Sequence, residues 1–249
     1  MKKQKVKESE ILDNLNSMDE EDLKQFRQKN KEHMDRISKR TVRNFFSGLF
    51  KRITDIVAGI IGVIFLIPIT IIVFLIELFT GDFGPIFFVQ ERIGRKGKIF
   101  RMIKFRSMVV GADGILEKYL AENPEAAKEY KINKKLTNDP RVTKAGKLLR
   151  KTSLDEWPQF LHLLTGKMTL VGPRPYLPRE KEEMGEYYDF IIKMKPGITG
   201  PWQVAGRSNL TFIDRLKLDE EYCARRGNRR DLKILFKTFL KVVKREGAE

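Results

Sequence analysis

The strongest pattern along the chain is apolar. From Ile53 to Leu78 almost every position is aliphatic or aromatic, with interruptions such as Thr54, Asp55, Pro68 and Thr70. At about 1.5 Å of rise per residue, a helix of that length crosses a hydrocarbon layer of about 30 Å. Pro68 sits near the middle, where its missing amide donor predicts a break. The run is not a signal peptide, because a long polar stretch precedes it and no small-residue cleavage site follows.

Mixed patterns flank this run. Residues 1–40 are rich in both signs of charge and poor in apolar positions. Ile11, Leu12, Leu15, Met18 and Leu23 outline a weak amphipathic helix from about Glu8 to Arg36, and a solvated extension fits as well. Arg40, Arg43, Lys51 and Arg52 then alternate with Phe45, Phe46, Leu49 and Phe50, a composition suited to the headgroup layer of an anionic membrane. Beyond the run, Pro85–Val89 and Ile99–Phe105 read as a β-hairpin around a glycine-containing turn. Helical patterns follow over 112–131, with a break near Asn123-Pro124, and from about Thr143 to Arg150. A helix ending at Gly166, a strand over Met168–Val171 and a helix from about Arg179 to Met194 come next. After a glycine-rich loop from Lys195 to Gln203, Leu232, Leu235, Phe236, Phe239, Leu240 and Val243 recur at helical spacing between lysines. Core packing and an interfacial amphipathic helix both fit that last segment. The expected class is α+β, mostly helical with a small β-hairpin or sheet. It divides into an extension (1–40), an amphipathic segment with the apolar helix (41–80) and a larger domain with C-terminal amphipathic helices (81–249).

Charge narrows the partners. The 249 residues carry a formal net charge of +16, which calls for an anionic partner: nucleic acid, anionic lipid or a phosphorylated molecule. Basic residues flank the apolar run on both sides, from Arg40 to Arg52 and from Arg92 to Arg106. The positive-inside rule puts both flanks in the cytoplasm, which favours a helix that enters one leaflet and returns; a single-span anchor is the alternative. A lone cysteine, Cys223, excludes a disulfide framework and a cysteine-based zinc site. With only His33 and His162, a metal would take oxygen ligands, as magnesium does.

The candidate chemistry centres on Ser153-Leu154-Asp155-Glu156-Trp157-Pro158-Gln159. Ser153 and Glu156 fit a capping box, on which reading neither carboxylate needs a chemical role. A helix starting one or two residues later would seat Pro158 in the first turn and release both acids. Lys104, Arg106, Arg150, Lys151 and Arg174 lie near predicted element ends and suit phosphate contacts. Magnesium between a carboxylate and a diphosphate would relieve their repulsion, and an aspartate can attack phosphorus.

Several motifs occur in order: Lys51-Arg52-x-x-Asp55-Ile56, Gln90-Glu91-Arg92-Ile93-Gly94, Lys104-Phe105-Arg106-Ser107-Met108 and Asp139-Pro140-Arg141-Val142-Thr143. Leu149 through Glu156, Val171-Gly172-Pro173-Arg174-Pro175, Lys195 through Gly200 and Trp202-Gln203-Val204 complete the set. This set resembles the bacterial sugar transferases, the monotopic polyprenyl-phosphate phosphoglycosyl transferases that initiate capsule and exopolysaccharide assembly. The resemblance covers about Lys51 to Thr238. It implies transfer of a sugar 1-phosphate from a UDP-sugar to undecaprenyl phosphate, with release of UMP and with Mg2+ as cofactor; the Trp202–Arg207 region resembles members that transfer glucose or galactose, and N-acetylated and diamino sugars stay open. It further implies Asp155 as nucleophile in a covalent phosphosugar intermediate, with Asp155 and Glu156 at the metal. Arg174, Lys104, Arg106 and Arg150 would hold phosphates, and Gln203 and Arg207 the nucleotide or sugar. The family's membrane helix is re-entrant and breaks at a Ser-Pro pair, with the catalytic domain on the cytoplasmic face of the inner membrane. Here Ile67 replaces that serine, so the break rests on Pro68 alone. Trp157, His162 and Lys167 also depart from the family pattern.

Two readings from other classes compete: a membrane-tethered nucleic-acid binder and a non-catalytic scaffold. No recognisable nucleic-acid motif supports the first, and the intact Asp-Glu pair speaks against the second. The sequence sets no oligomeric state, and a homodimer is compatible with it.

Overall fold

The computed structural model describes residues 8–38, 41–206 and 210–244, with side chains except at 8, 35–38, 41–47, 243 and 244. The amphipathic extension is two helices, α1 (Glu8–Asn16) and α2 (Glu20–Ser38). Asp19 divides them: its side chain accepts from the Asp22 amide at 2.8 Å, an N-cap that starts α2 afresh. Leu12 and Leu15 are buried, so the pair is packed rather than solvated.

The apolar run forms α3 (Thr41–Thr80). Pro68 lies inside this one helix and does not end it, contrary to the expected break. The ring removes one backbone donor, but packing holds both halves of the helix against the same domain. That seam recurs at helical spacing. Lys51 Nζ donates to the Val171 carbonyl at 2.7 Å, and Arg52 donates to the carbonyls of Leu163 and Leu164 at 2.6 and 2.9 Å. Asp55 accepts from Thr169 Oγ1 and the Leu170 amide. Further along, Ile69 and Val73 pack with Phe105 and Leu149, and Glu77 pairs with Arg106 at 3.4 Å. Lys51 and Arg52, expected at lipid headgroups, therefore bind the domain; Arg40 and the Arg43 side chain lie outside what is described. The opposite face of α3 is bare and apolar: Ile60, Ile64, Ile67, Ile71, Phe74 and Phe79 are all exposed. By length and composition, Gly48–Thr80 is able to cross a membrane.

The hairpin pairs β1 (Phe87–Ile93) with β2 (Ile99–Phe105) in antiparallel register, Phe87 opposite Phe105. β1 runs four residues past its expected end, since Arg92 and Ile93 are buried in its continuation. Helices α4 (Ala112–Glu122) and α5 (Pro124–Asn133) meet at Asn123, as the Asn-Pro pair predicts. α6 (Lys144–Thr152) is capped by Thr143, whose hydroxyl accepts from the Gly146 amide. A 3-10 segment, Leu154–Gln159, leads into α7 (Phe160–Leu164), and Gly166 turns the chain with φ +70°.

A second sheet, β3 (Thr169–Val171) parallel to β4 (Gly197–Thr199), draws its second strand from the segment read as a glycine-rich loop. Gly197 is obligatory there, because a Cβ would stand 2.1 Å from the Gly172 amide nitrogen. The helix expected over 179–194 is cut into α8 (Lys181–Met184) and α9 (Tyr188–Ile191) around Gly185, at φ +51°. α10 (Pro201–Ala205), α11 (Phe212–Arg225) and α12 (Asn228–Lys244) complete the chain. On α12, Leu232, Phe236 and Phe239 are exposed while Ile234 is fully buried in the core.

Candidate active site

The carboxylates owe their position to how α6 stops. Ser153 adopts the left-handed conformation (φ +57°), and its amide donates to the Arg150 carbonyl at 3.0 Å. It is the C-terminal stop of one helix and gives no side-chain cap to the next, so the capping-box reading fails. The sharp turn starts the 3-10 segment. In that geometry residues three apart share a face, so Leu154 and Trp157 pack together against α3. Trp157 Nε1 donates to the Gly62 carbonyl at 2.8 Å. With those two anchored, Asp155 and Glu156 line a cleft of about 1200 Å³.

The two acids are electrically distinct. Asp155 is buried, and desolvation pushes its carboxyl up to about 6, against the pull of Lys104 and Arg150 and with the help of Glu156. Glu156 opens to the cleft, and although burial opposes its ionisation, the Lys104 ammonium at 2.8 Å holds its carboxyl below the usual range. One position thus keeps an ionised acid beside a desolvated one. His162 is no base here: its Nε2 accepts from the Ile103 amide at 3.1 Å, and burial lowers it to about 4.

Cations crowd the same floor. Arg150, its acidity raised by burial, donates through Nε to Ser107 Oγ at 3.0 Å. Arg174 stacks on Trp202, 4.9 Å from the ring centre, and its backbone amide donates to buried Asp219 at 2.8 Å. Arg215 lies 5.9 Å from the same ring. Burial, then the charge of Arg174, lowers Arg92 to about 9 and Arg215 to about 10. Buried guanidinium groups gathered around Arg174 in this way form a well for an anion. Asp219 provides little compensation, since burial pushes it up to about 7 against its hydrogen bonds from the Arg174 amide and Tyr176.

Of the residues expected at the site, Asp155, Glu156, Lys104, Arg106, Arg150, Arg174 and Gln203 all line this cleft. Arg106 differs in what it does. Its guanidinium is committed to Asp82 at 2.6 Å, to the Pro85 and Asp82 carbonyls, and to Glu77, which pins the end of α3. Gln203 donates to the Ile198 carbonyl at 3.3 Å, and its Oε1 is buried without a hydrogen-bond partner among the described residues. Arg207 lies outside the described residues, and Pro68 belongs to α3.

A protein-family model described as bacterial sugar transferase matches residues 46–245. The chain belongs to that family. Among similar proteins, an undecaprenyl-phosphate galactose phosphotransferase of Salmonella typhimurium is 42% identical over 81% of this chain and 42% of its own length. The exopolysaccharide production protein ExoY of Sinorhizobium fredii is 39% identical over 77% of this chain and 84% of its own. A UDP-glucose:undecaprenyl-phosphate glucose-1-phosphate transferase of Escherichia coli is 37% identical over 78% and 40%. The chain therefore spans about two-fifths of the length of several relatives it matches.

Sequence reasoning passed over three residues that line this cleft, Arg92, Trp202 and Arg215, and over Asp219 buried behind it. Arg92 and Trp202 lay within the quoted motifs but were given no role. Arg215 and Asp219 belong to α11, which the pattern did not reveal.

Proposed function

We propose that the cleft transfers a sugar 1-phosphate from a UDP-sugar to undecaprenyl phosphate and releases UMP. The observation that carries this reading is the desolvated Asp155 beside lysine-paired Glu156, on a floor surrounded by mutually repelling arginines. The named activities of relatives support it. In the first half-reaction an Asp155 carboxylate oxygen attacks the phosphorus next to the sugar. The bond to the bridging oxygen breaks, and that oxygen leaves with UMP. In the second, a phosphate oxygen of the lipid attacks the aspartyl phosphorus, freeing Asp155 and forming the lipid diphosphosugar. Arg174 and Arg150 hold phosphate oxygens through the displacement, Lys104 keeps Glu156 ionised, and Trp202 and Gln203 face the nucleotide or sugar. Asp155 and Glu156 offer the oxygen donors that Mg2+ takes. Magnesium commonly takes only one or two protein carboxylates and completes its shell with water and substrate phosphate. Bound there, it would neutralise diphosphate charge as the displacement proceeds.

The donor sugar is glucose or galactose on this reading. Release of UMP across a panel of UDP-sugars, with undecaprenyl phosphate and Mg2+ present, tests both chemistry and sugar; activity confined to N-acetylated sugars would refute the hexose assignment. The docked stripe of α3, from Lys51 to Glu77, supports a monotopic placement with the bare apolar face in one leaflet and the domain cytoplasmic. A perpendicular crossing would strip Lys51, Arg52 and Asp55 of their partners. Cysteines introduced near residues 45 and 95 should label from the same, cytoplasmic side of the inner membrane; opposite sides would restore a single span.

A further inference from the structure

The family match begins at residue 46, so α1 and α2 lie outside it. They are nonetheless packed onto one wall of the cleft. Leu12 is buried with Leu210 and Leu218 in a cluster that Ile11, Trp202 and Ala205 complete. Polar contacts clasp the same seam. Asn16 donates to Asp214 at 3.3 Å and accepts from Lys217 at 2.8 Å. From α2, Arg27 pairs with Glu186 and, at 3.4 Å, with Glu220, and it lies 4.2 Å above the Tyr187 ring.

The apolar contact reaches α10, a helix of five residues, while Asn16 and Arg27 fasten α11 and the Glu186–Tyr187 turn, and α11 packs in its turn on α10. So short a helix has almost no stability of its own, and its position comes from what packs around it. Trp202 on α10 belongs at once to the apolar cluster with α1 and to the lining of the cleft. It also carries the stacked Arg174. Beside it, Gln203 presents a buried Oε1 with no hydrogen-bond partner among the described residues. Without α1, the apolar flank of Trp202 would face water, and the ring that seats Arg174 would be free to turn. Asp155, Glu156 and Lys104 are carried by the 3-10 segment and β2, outside this seam.

We propose that α1 and α2 are an internal brace that positions α10, so that Leu12, Asn16 and Arg27 set how tightly the cleft holds its donor nucleotide-sugar. The proposal rests on the UDP-sugar reading above and extends it to a segment the family match does not include.

The test uses the full chain in detergent with Mg2+. UDP binding is measured by calorimetry and initial rates over a range of UDP-sugar. Leu12→Asp should weaken UDP binding and raise KM by about tenfold while kcat stays within about twofold, and Leu12→Met should restore both. A lowered Tm with unchanged UDP affinity in Leu12→Asp would overturn the proposal, because the contact would then serve folding alone. If Leu12→Asp does not fold, the pair Asn16→Ala and Arg27→Ala, which leaves the apolar contact intact, takes its place; an unchanged KM in that double variant also overturns it. Failure of the wild-type chain to bind UDP would refute the UDP-sugar reading itself, and the brace with it.

Discussion

Lys104 and Arg106 stand two residues apart where β2 ends, yet they serve different regions. Arg106 turns into the α3 seam, where Asp82, Glu77 and two carbonyls take up its guanidinium. Lys104 turns into the cleft, where it pairs with Glu156 beside arginines whose charged forms burial disfavours. Burial is similar in kind in the two places, and the pairing is not. A buried cation surrounded by acceptors fixes structure, because removing it strands the acceptors. Cations gathered around a desolvated acid leave charge for a ligand to neutralise.

The largest effect expected is on the acid itself. Asp155→Asn should lower UMP release by about a thousandfold or more, since the proposed covalent route would lose its nucleophile. Residual activity near that of wild type would mean the cleft floor does not react. In the seam, Arg106→Ala should cost about 3–5 kcal/mol of stability by leaving Asp82 and Glu77 unpaired. Thermal unfolding reads this, and KM for the UDP-sugar in the folded fraction should stay near wild type. The reverse, a normal Tm with lost donor binding, would move Arg106 from the seam to the site.

Arg174→Ala should reduce kcat/KM by about a hundredfold, because on the proposed mechanism a phosphate oxygen loses a charge-assisted partner; a change in stability alone would argue against contact. The pH dependence is subtler. Asp155 must be ionised to attack, so kcat/KM should rise with pH through about 6. Lys104 pulls that value down, so Lys104→Met should move the rising limb to higher pH; a limb unmoved would separate Lys104 from the acid pair. The same shift has a stability sign. A carboxyl raised in the folded state favours folding in its protonated form, so the penalty is complete above about pH 6 and gone near pH 4. Asp155→Asn should therefore be the more stable protein at pH 7.5, by on the order of 2–3 kcal/mol, with the advantage vanishing near pH 4. Equal Tm values at both pH values would refute the desolvation of Asp155.

How much of this was legible in the sequence follows from what each element hides. α3 showed as one long apolar run, the hairpin as two apolar segments about a glycine turn, and α6 as a short basic helix from Thr143. α11 buries Asp219, Glu220 and Glu221 beside Leu216, Leu218 and Tyr222, so no apolar period marks it, and Arg215 and Asp219 went unread with it. β4 is three residues of a glycine-rich stretch whose strand character comes entirely from pairing with β3. Ser153 and Glu156 matched a capping box by spacing alone, but the left-handed turn at Ser153 put the pattern to another use. Arg106 shared the motif of Lys104, and only the fold separates the one that pins a helix from the one that opens on the cleft beside Glu156.

The covalent role of Asp155 can be tested most directly by a single-turnover reaction of the chain with a labelled UDP-sugar, Mg2+ and no lipid acceptor, followed by peptide mass analysis. The predicted result is up to one equivalent of UMP, a phosphosugar on the peptide carrying Asp155, and its discharge when undecaprenyl phosphate is added. Release of UMP only after the lipid is present, with no modified peptide at any time, or label on Glu156 instead, would contradict it.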